Sequence, residues 1–223
     1  MYKIILLLFK LLILASIATS TAFAAKQERE LLSPDVQTSM HSSVINPITP
    51  YLVFDSQEQA NFWLDDMSNR LKNLVPDKKL ALDDFLRKLY LTIIQYEAKR
   101  ANLDPQLVLS IITVESKFNK YAISPSDARG FMQVMPCWQK LIGTKEHNLF
   151  NVQTNLRYGC TILSHYLQIE KGNLVRALAR YNGSIGQPWY PKLVTDAYNK
   201  YWKLYPIVTI KNDKLTYINY TAN

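Results

Sequence analysis

Glu115 stands where an acid is costly. Asp104 and Pro105, an N-cap acid followed by proline at the first helical position, mark the start of a short helix whose apolar stripe is predicted to run Val108, Ile111, Ile112 and then Glu115. A carboxylate on such a face either pairs with a cation or serves as a proton donor with a raised pKa. Aliphatic surroundings and the negative end of the helix dipole both favour its protonated form. An acid of this kind can protonate the leaving oxygen in glycoside cleavage, a reaction that usually needs a second carboxylate to activate water or attack the sugar. Asp127 is the nearest downstream candidate, but in the loop Ser124-Pro125-Ser126-Asp127-Ala128-Arg129 it reads as a solvated turn residue beside Arg129.

Three clusters carry the remaining polar chemistry: V-E-S-K-F-N at 114–119, G-F-M-Q-V-M-P at 130–136 and R-Y-N-G-S at 180–184. In this order, with a helix between the second and third, they resemble the soluble lytic transglycosylase family, whose motifs run E-S, G-L-M-Q and A-Y-N-x-G. The resemblance covers about residues 95–200. It implies a lysozyme-like α-helical domain acting on peptidoglycan glycan strands, at the β-1,4 bond between N-acetylmuramic acid and N-acetylglucosamine. The muramyl 6-hydroxyl then closes onto C1 to leave a 1,6-anhydro end, and Glu115 serves first as acid and then as base.

The same resemblance assigns substrate-binding roles to Ser116, Gln133, Met135, Tyr181 and Asn182, and the Tyr181 phenol is expected to hydrogen-bond Glu115. Two positions depart from the family pattern: Phe131 replaces a leucine and Arg180 an alanine. Arg180 pointed at Glu115 would lower the acid's pKa, so it is expected to face solvent or the peptide stems. Trp138, Trp189, Tyr190 and Trp202 read mostly as core aromatics, Trp189 having the best claim to stack on a sugar. A goose-type lysozyme-like muramidase is the nearest alternative, and a non-catalytic glycan-binding or secretion-apparatus accessory protein is another. A role beside secretion or wall-synthesis machinery is compatible with the transglycosylase reading itself.

The elements that must position these residues are predicted to be helices, with little or no sheet. Residues 1–24 combine an early lysine, an apolar run and an Ala22-Phe23-Ala24 cleavage pattern, reading as a signal peptide and hence as export to the periplasm or cell envelope. Membrane association follows only if that segment stays uncleaved. Residues 25–54 read as an extended or disordered lead-in. A capping box at Asp55 and Glu58 opens a helix with Phe62, Trp63, Met67, Leu71 and Leu74, ended by Pro76. The spacing next predicts a helix over 79–101 with Leu82, Phe85, Leu86, Leu89, Ile93 and Tyr96 on one face. Further helices are predicted over 152–170, 174–181 and 191–205, and a weak hairpin or irregular tail over 206–223. Residues 55–90 thus form an N-terminal helical extension and 91–205 the lysozyme-like domain.

Composition narrows the partners. The chain of 223 residues has a formal net charge of +8, which favours an anionic partner. Its basic residues are scattered over several helices without a nucleic-acid motif, so nucleic acid is not predicted. Cys137 and Cys160 in an exported chain permit a disulfide, the alternative being two small buried hydrophobes. His41, His147 and His165 lack metal-ligand spacing, so no metal is predicted, and no cofactor is implied.

Overall fold

The computed structural model describes residues 31–204 apart from residue 47, and the backbone of two strands at 207–211 and 214–218. The sequence breaks into helices where short polar side chains can take up the free N–H groups of a first turn. Ser33 starts α1 (Pro34–Ile45), and the Ser56 hydroxyl starts α2 (Gln57–Leu74) by accepting from Gln59 N at 3.2 Å. Ser56 thus takes the capping place expected of Asp55. Asp77 caps the short α3 (Lys78–Leu82), and Asp83 caps α4 (Asp84–Arg100). Asp104 caps α5 (Pro105–Glu115), accepting from Gln106 N at 2.9 Å. After α6 (Cys137–Ile142), Asn151 and Asn173 cap α7 (Val152–Ile169) and α8 (Leu174–Asn182). α9 (Trp189–Ala197) runs into one π-helical turn, Tyr198–Trp202. The strands Ile207–Lys211 and Lys214–Ile218 pair antiparallel, with Ile207 opposite Ile218.

α5 lies at the centre. Val108, Leu109, Ile111 and Ile112 are fully buried, because α4, α9 and the π turn all pack against it. One hydrophobic cluster runs from Met40 in α1 to Trp202 in the π turn, so the described helices share a core. The expected division at 90/91 falls inside α4.

Two expectations are corrected. The stretch 25–54 contains α1, whose Met40 and Val44 are buried against the core; residues 25–30, like the signal segment, lie outside the described residues. The single helix over 79–101 is two helices with its face misjudged, since Leu82 is 80% and Phe85 78% exposed. The buried face instead carries Arg87, Tyr90, Leu91 and Ile94. Apolar periodicity assumes that charges face water, but Arg87 lies inside with its donors met by the Leu80 and Ala81 carbonyls, Ser68 and Asp84.

Charged groups also tie the lead-in to the core. Glu97, fully buried, accepts from Arg157 Nη2 at 2.7 Å on one oxygen and Arg100 Nε at 2.7 Å on the other. The same two guanidinium groups donate to the Ser43 and Asn46 carbonyls, Gln153 donates to Ile48 O, and the Gln95 amide both donates to and accepts from the Val53 backbone. Replacing Glu97 by alanine leaves two arginines facing each other without their carboxylate. Urea denaturation should show the unfolding free energy fall by about 3–5 kcal/mol. Phe85→Ser, at an exposed site, should change it by no more than about 0.5 kcal/mol.

Candidate functional site

Glu115 is the last residue of α5, and the chain turns sharply after it. The Ser116 hydroxyl donates to Phe131 O at 2.8 Å, fastening the helix end to the 130–136 loop. Lys117 and Phe118 then adopt positive φ, which lets the Phe118 ring fold back between Phe131 and Trp202. The loop itself is held from α7. Buried Asn155 accepts from Met132 N at 2.8 Å and donates to Arg129 O at 2.7 Å and Leu149 O at 2.9 Å. Gly130, at φ 73°, passes so near that a Cβ there would lie 2.5 Å from Asn155 Nδ2. On the same helix a Cβ at Gly159 would lie 2.4 Å from Met132 Sδ, so the missing side chain is what admits the loop. From α8, the Tyr181 hydroxyl donates to Met132 O at 2.8 Å, and from α9 the Tyr190 hydroxyl donates to Glu115 Oε1 at 2.6 Å.

Electrostatically the carboxyl is set apart. Burial of its atoms pushes the Glu115 pKa from 4.5 to about 7, against the smaller opposing effect of the Tyr190 hydrogen bond, which favours the ionised form. Burial, and then the Glu115 charge, hold the Tyr190 phenol well above its ordinary value, so it stays a donor. Arg180 turns elsewhere. It donates to Glu170 Oε1 through Nε at 2.9 Å and Nη2 at 2.6 Å and lies over the Tyr166 ring. Asp127, exposed in its loop, is held by Arg129 through both oxygens at 2.9 and 3.0 Å. One acid that is half protonated near neutral pH, with a neutral donor on one oxygen, can both give and take a proton.

A family model described as the transglycosylase SLT domain matches residues 92–200, from within α4 to the π turn. Over that stretch the chain is similar to the SLT-domain family. The membrane-bound lytic murein transglycosylase C of Yersinia pestis (strain Pestoides F) is 33% identical over 152 residues, covering 61% of this chain and 41% of its own. The protein of that name from Actinobacillus pleuropneumoniae serotype 5b (strain L20) is 30% identical over 119 residues, covering 53% and 31%. The chain therefore spans less than half the length of these relatives. The crystal structure of the 70 kDa soluble lytic transglycosylase of Escherichia coli aligns with a TM-score of 0.39 at 19% identity, over 64% of this chain and 25% of that one.

Within residues 92–200 the three sequence clusters meet, although several contacts differ from expectation. Tyr190, grouped with the core aromatics, supplies the phenol on Glu115, while the Tyr181 proton goes to the Met132 carbonyl. Ser116 and Gln133 spend their donors on backbone, Gln133 Nε2 on Gly130 O at 3.0 Å and on Ala122 O. Met135 is partly buried against the core. The Asn182 Oδ1 and Ser184 Oγ atoms are buried without a hydrogen-bond partner among the described residues. Trp138 and Trp202 are core, whereas Trp189 is 44% exposed beside Tyr190.

The expected Cys137–Cys160 disulfide is corrected: the two cysteines are not joined to each other. Cys160 points into the core, its sulfur 3.9 Å from Met132 Sδ, and burial pushes its thiol pKa up, whereas Cys137 opens α6. Asn155 and Tyr190 were missed for different reasons. Asn155 is a polar residue on the buried face of α7, the signal that singled out Glu115. Tyr190 gave no local signal, since its partner is 75 residues away.

The raised pKa of Glu115 has a stability consequence with a definite sign. Between pH 4.5 and about 7 the folded chain binds a proton that the unfolded chain has released, so this contribution is full below 4.5 and is lost as pH rises through 7. Glu115→Gln, which mimics the neutral acid, should raise the melting temperature at pH 8 and change it little at pH 4.5. Calorimetry of both proteins across that range checks it; a wild-type curve parallel to that of the variant would refute the raised pKa.

Proposed function

We propose that this protein is a peptidoglycan lytic transglycosylase of the cell envelope. It cleaves the β-1,4 bond between N-acetylmuramic acid and N-acetylglucosamine with a single carboxyl, Glu115. The observation that carries the reading is the pairing of a carboxyl whose pKa lies at about 7 with a neutral phenol donor, while Asp127, the nearest candidate downstream in sequence, is engaged by Arg129. Supporting it are the SLT domain and relatives named as lytic murein transglycosylases.

In the proposed reaction Glu115 gives its proton to the glycosidic oxygen as the bond to C1 breaks. The resulting carboxylate then takes the proton of the muramyl 6-hydroxyl while O6 bonds to C1, and a 1,6-anhydro ring forms. No water is consumed, and the proton count at Glu115 is restored. A pKa near 7 suits both halves, since the acid gives and recovers the proton without a large penalty in either direction. Tyr190 keeps the carboxyl oriented. The remaining valences of Ser116, Gln133 and Asn182 read sugar hydroxyl and acetamido groups, Met135 packs on a pyranose face, and Tyr181 holds the Met132 carbonyl. The unpartnered Asn182 Oδ1 favours a ligand-facing role for that residue.

Digestion of purified sacculi, with mass analysis of the released ends, tests the reaction. Anhydro-muramyl ends are expected. Reducing muramyl ends would instead assign the muramidase reaction with water as nucleophile. Glu115→Gln should lower the rate by about 10³-fold or more, the range for loss of a general acid. Wall cleavage that survives this change would remove Glu115 from the catalytic role, and a wild-type protein that releases no ends would leave glycan binding alone.

Tyr190→Phe offers a finer test. Losing a hydrogen bond that favours the ionised carboxyl moves the alkaline limb of the rate profile to higher pH, because Glu115 then keeps its proton longer. Loss of orientation should also lower kcat by about ten- to a hundredfold with little change in KM. An unmoved limb would reduce Tyr190 to a packing residue.

A further inference from the structure

Away from Glu115, the packing of α1 on the core leaves a cavity of about 310 Å³. α1 contributes Ser39 and Ser43, the end of α4 contributes Arg100, and α7 contributes Thr161, Ser164 and His165. Among the described residues, no aspartate or glutamate lines it. Its charge has a traceable origin. Arg100 and Arg157 share the single buried carboxylate of Glu97, which leaves this cluster one positive charge in excess. The Arg157 side chain is sealed at 5% exposure, whereas that of Arg100 is 21% exposed and forms part of the cavity wall. The excess charge therefore surfaces in the cavity, among hydroxyls and an apolar strip of Val36, Met40 and Ala101. Arg100 cannot swing away, because it is fixed by Glu97, the Ser43 carbonyl and Thr161 Oγ1.

A rigid guanidinium, neighbouring hydroxyls and a small apolar wall suit a carboxylate carried on a short, partly apolar backbone. We propose that this cavity binds the free carboxyl end of a short peptide, one or two residues long, with Arg100 meeting the carboxylate, Ser39, Ser43 and Ser164 meeting its polar groups, and Met40 its side chains. The site is built jointly by α1 and the core, so it exists only when α1 is docked. It is separate from the Glu115 machinery and does not rest on the proposed reaction.

Isothermal titration of the full chain with D-alanyl-D-alanine, L-alanyl-L-alanine and acetate tests it. The dipeptides should bind saturably, at least tenfold tighter than acetate. Preference for the D form assigns a wall peptide as the source, and equal binding assigns any peptide terminus. Ser164→Leu fills the cavity without touching the Glu97 cluster and should weaken dipeptide binding at least tenfold while the melting temperature is retained. Arg100→Gln should weaken binding as much but also lower the melting temperature, because Glu97 loses one of its two guanidinium partners, and Glu115→Gln should leave binding unchanged. Absence of saturable dipeptide binding, acetate binding as tight as the dipeptides, or binding that survives Ser164→Leu would overturn the proposal.

Discussion

A carboxyl at the end of a buried helix can stay available for proton transfer only if what holds it is neutral. Any cation in contact would pull its pKa down and convert it into a structural ion pair. The Tyr190 hydroxyl meets this condition: it donates to Glu115 Oε1 yet leaves the carboxyl at about 7, because desolvation outweighs the hydrogen bond. Much of the packing around the site serves this one contact. α5 is surrounded by α4, α9 and the π turn, which supplies the desolvation, and α9 is also the helix that carries Tyr190. The element that dries the acid therefore delivers its donor. Arg180 sits one helix away without spoiling the arrangement, since Glu170 binds it through two nitrogens.

The loop beneath the acid is positioned by main-chain contacts more than by its own side chains. Asn155 satisfies Met132 N, Arg129 O and Leu149 O, Ser116 satisfies Phe131 O, and Tyr181 satisfies Met132 O. Holding the backbone in this way fixes the loop while leaving its side chains free to vary. The substitution of phenylalanine at 131 fits that logic, for its ring is buried edge-on to Tyr90 and Phe118, away from the polar contacts. Gly159 completes the device. Its lack of a side chain is what allows Met132 to seat against α7.

Local signals were legible in the sequence, and long-range ones were not. Asp104-Pro105 marked the start of α5 to the residue, and Lys171-Gly172 marked the end of α7, where both residues have positive φ. The motif residues around Glu115 were visible from type and order alone. The lead-in helix α1 was hidden because its stability comes from docking, with Met40 and Val44 buried and little amphipathic contrast along its own sequence. The face of α4 was misread because Arg87, Gln95 and Glu97 are buried with their polar groups satisfied, which an apolar stripe cannot reveal. Tyr190 and Cys160 failed on the same ground. Which phenol reaches Glu115, and whether two cysteines face each other, are decided by tertiary geometry.

Glu97 and Glu115 show how little the residue type decides. Both are glutamates in the last turn or two of helices buried by the same core, and both lie on faces rich in aliphatic side chains. Glu97 meets two guanidinium groups, and the network that results also holds the Ser43 and Asn46 carbonyls. Glu115 meets one phenol and keeps its proton to about neutral pH. Replacing the partner of either would exchange their characters: a cation at position 190 would make Glu115 a structural anchor, and a neutral residue at both 100 and 157 would leave Glu97 a buried acid without a counter-charge. Burial provides the same starting material in both places, and the charge of the partner decides whether it becomes a strut or a proton donor.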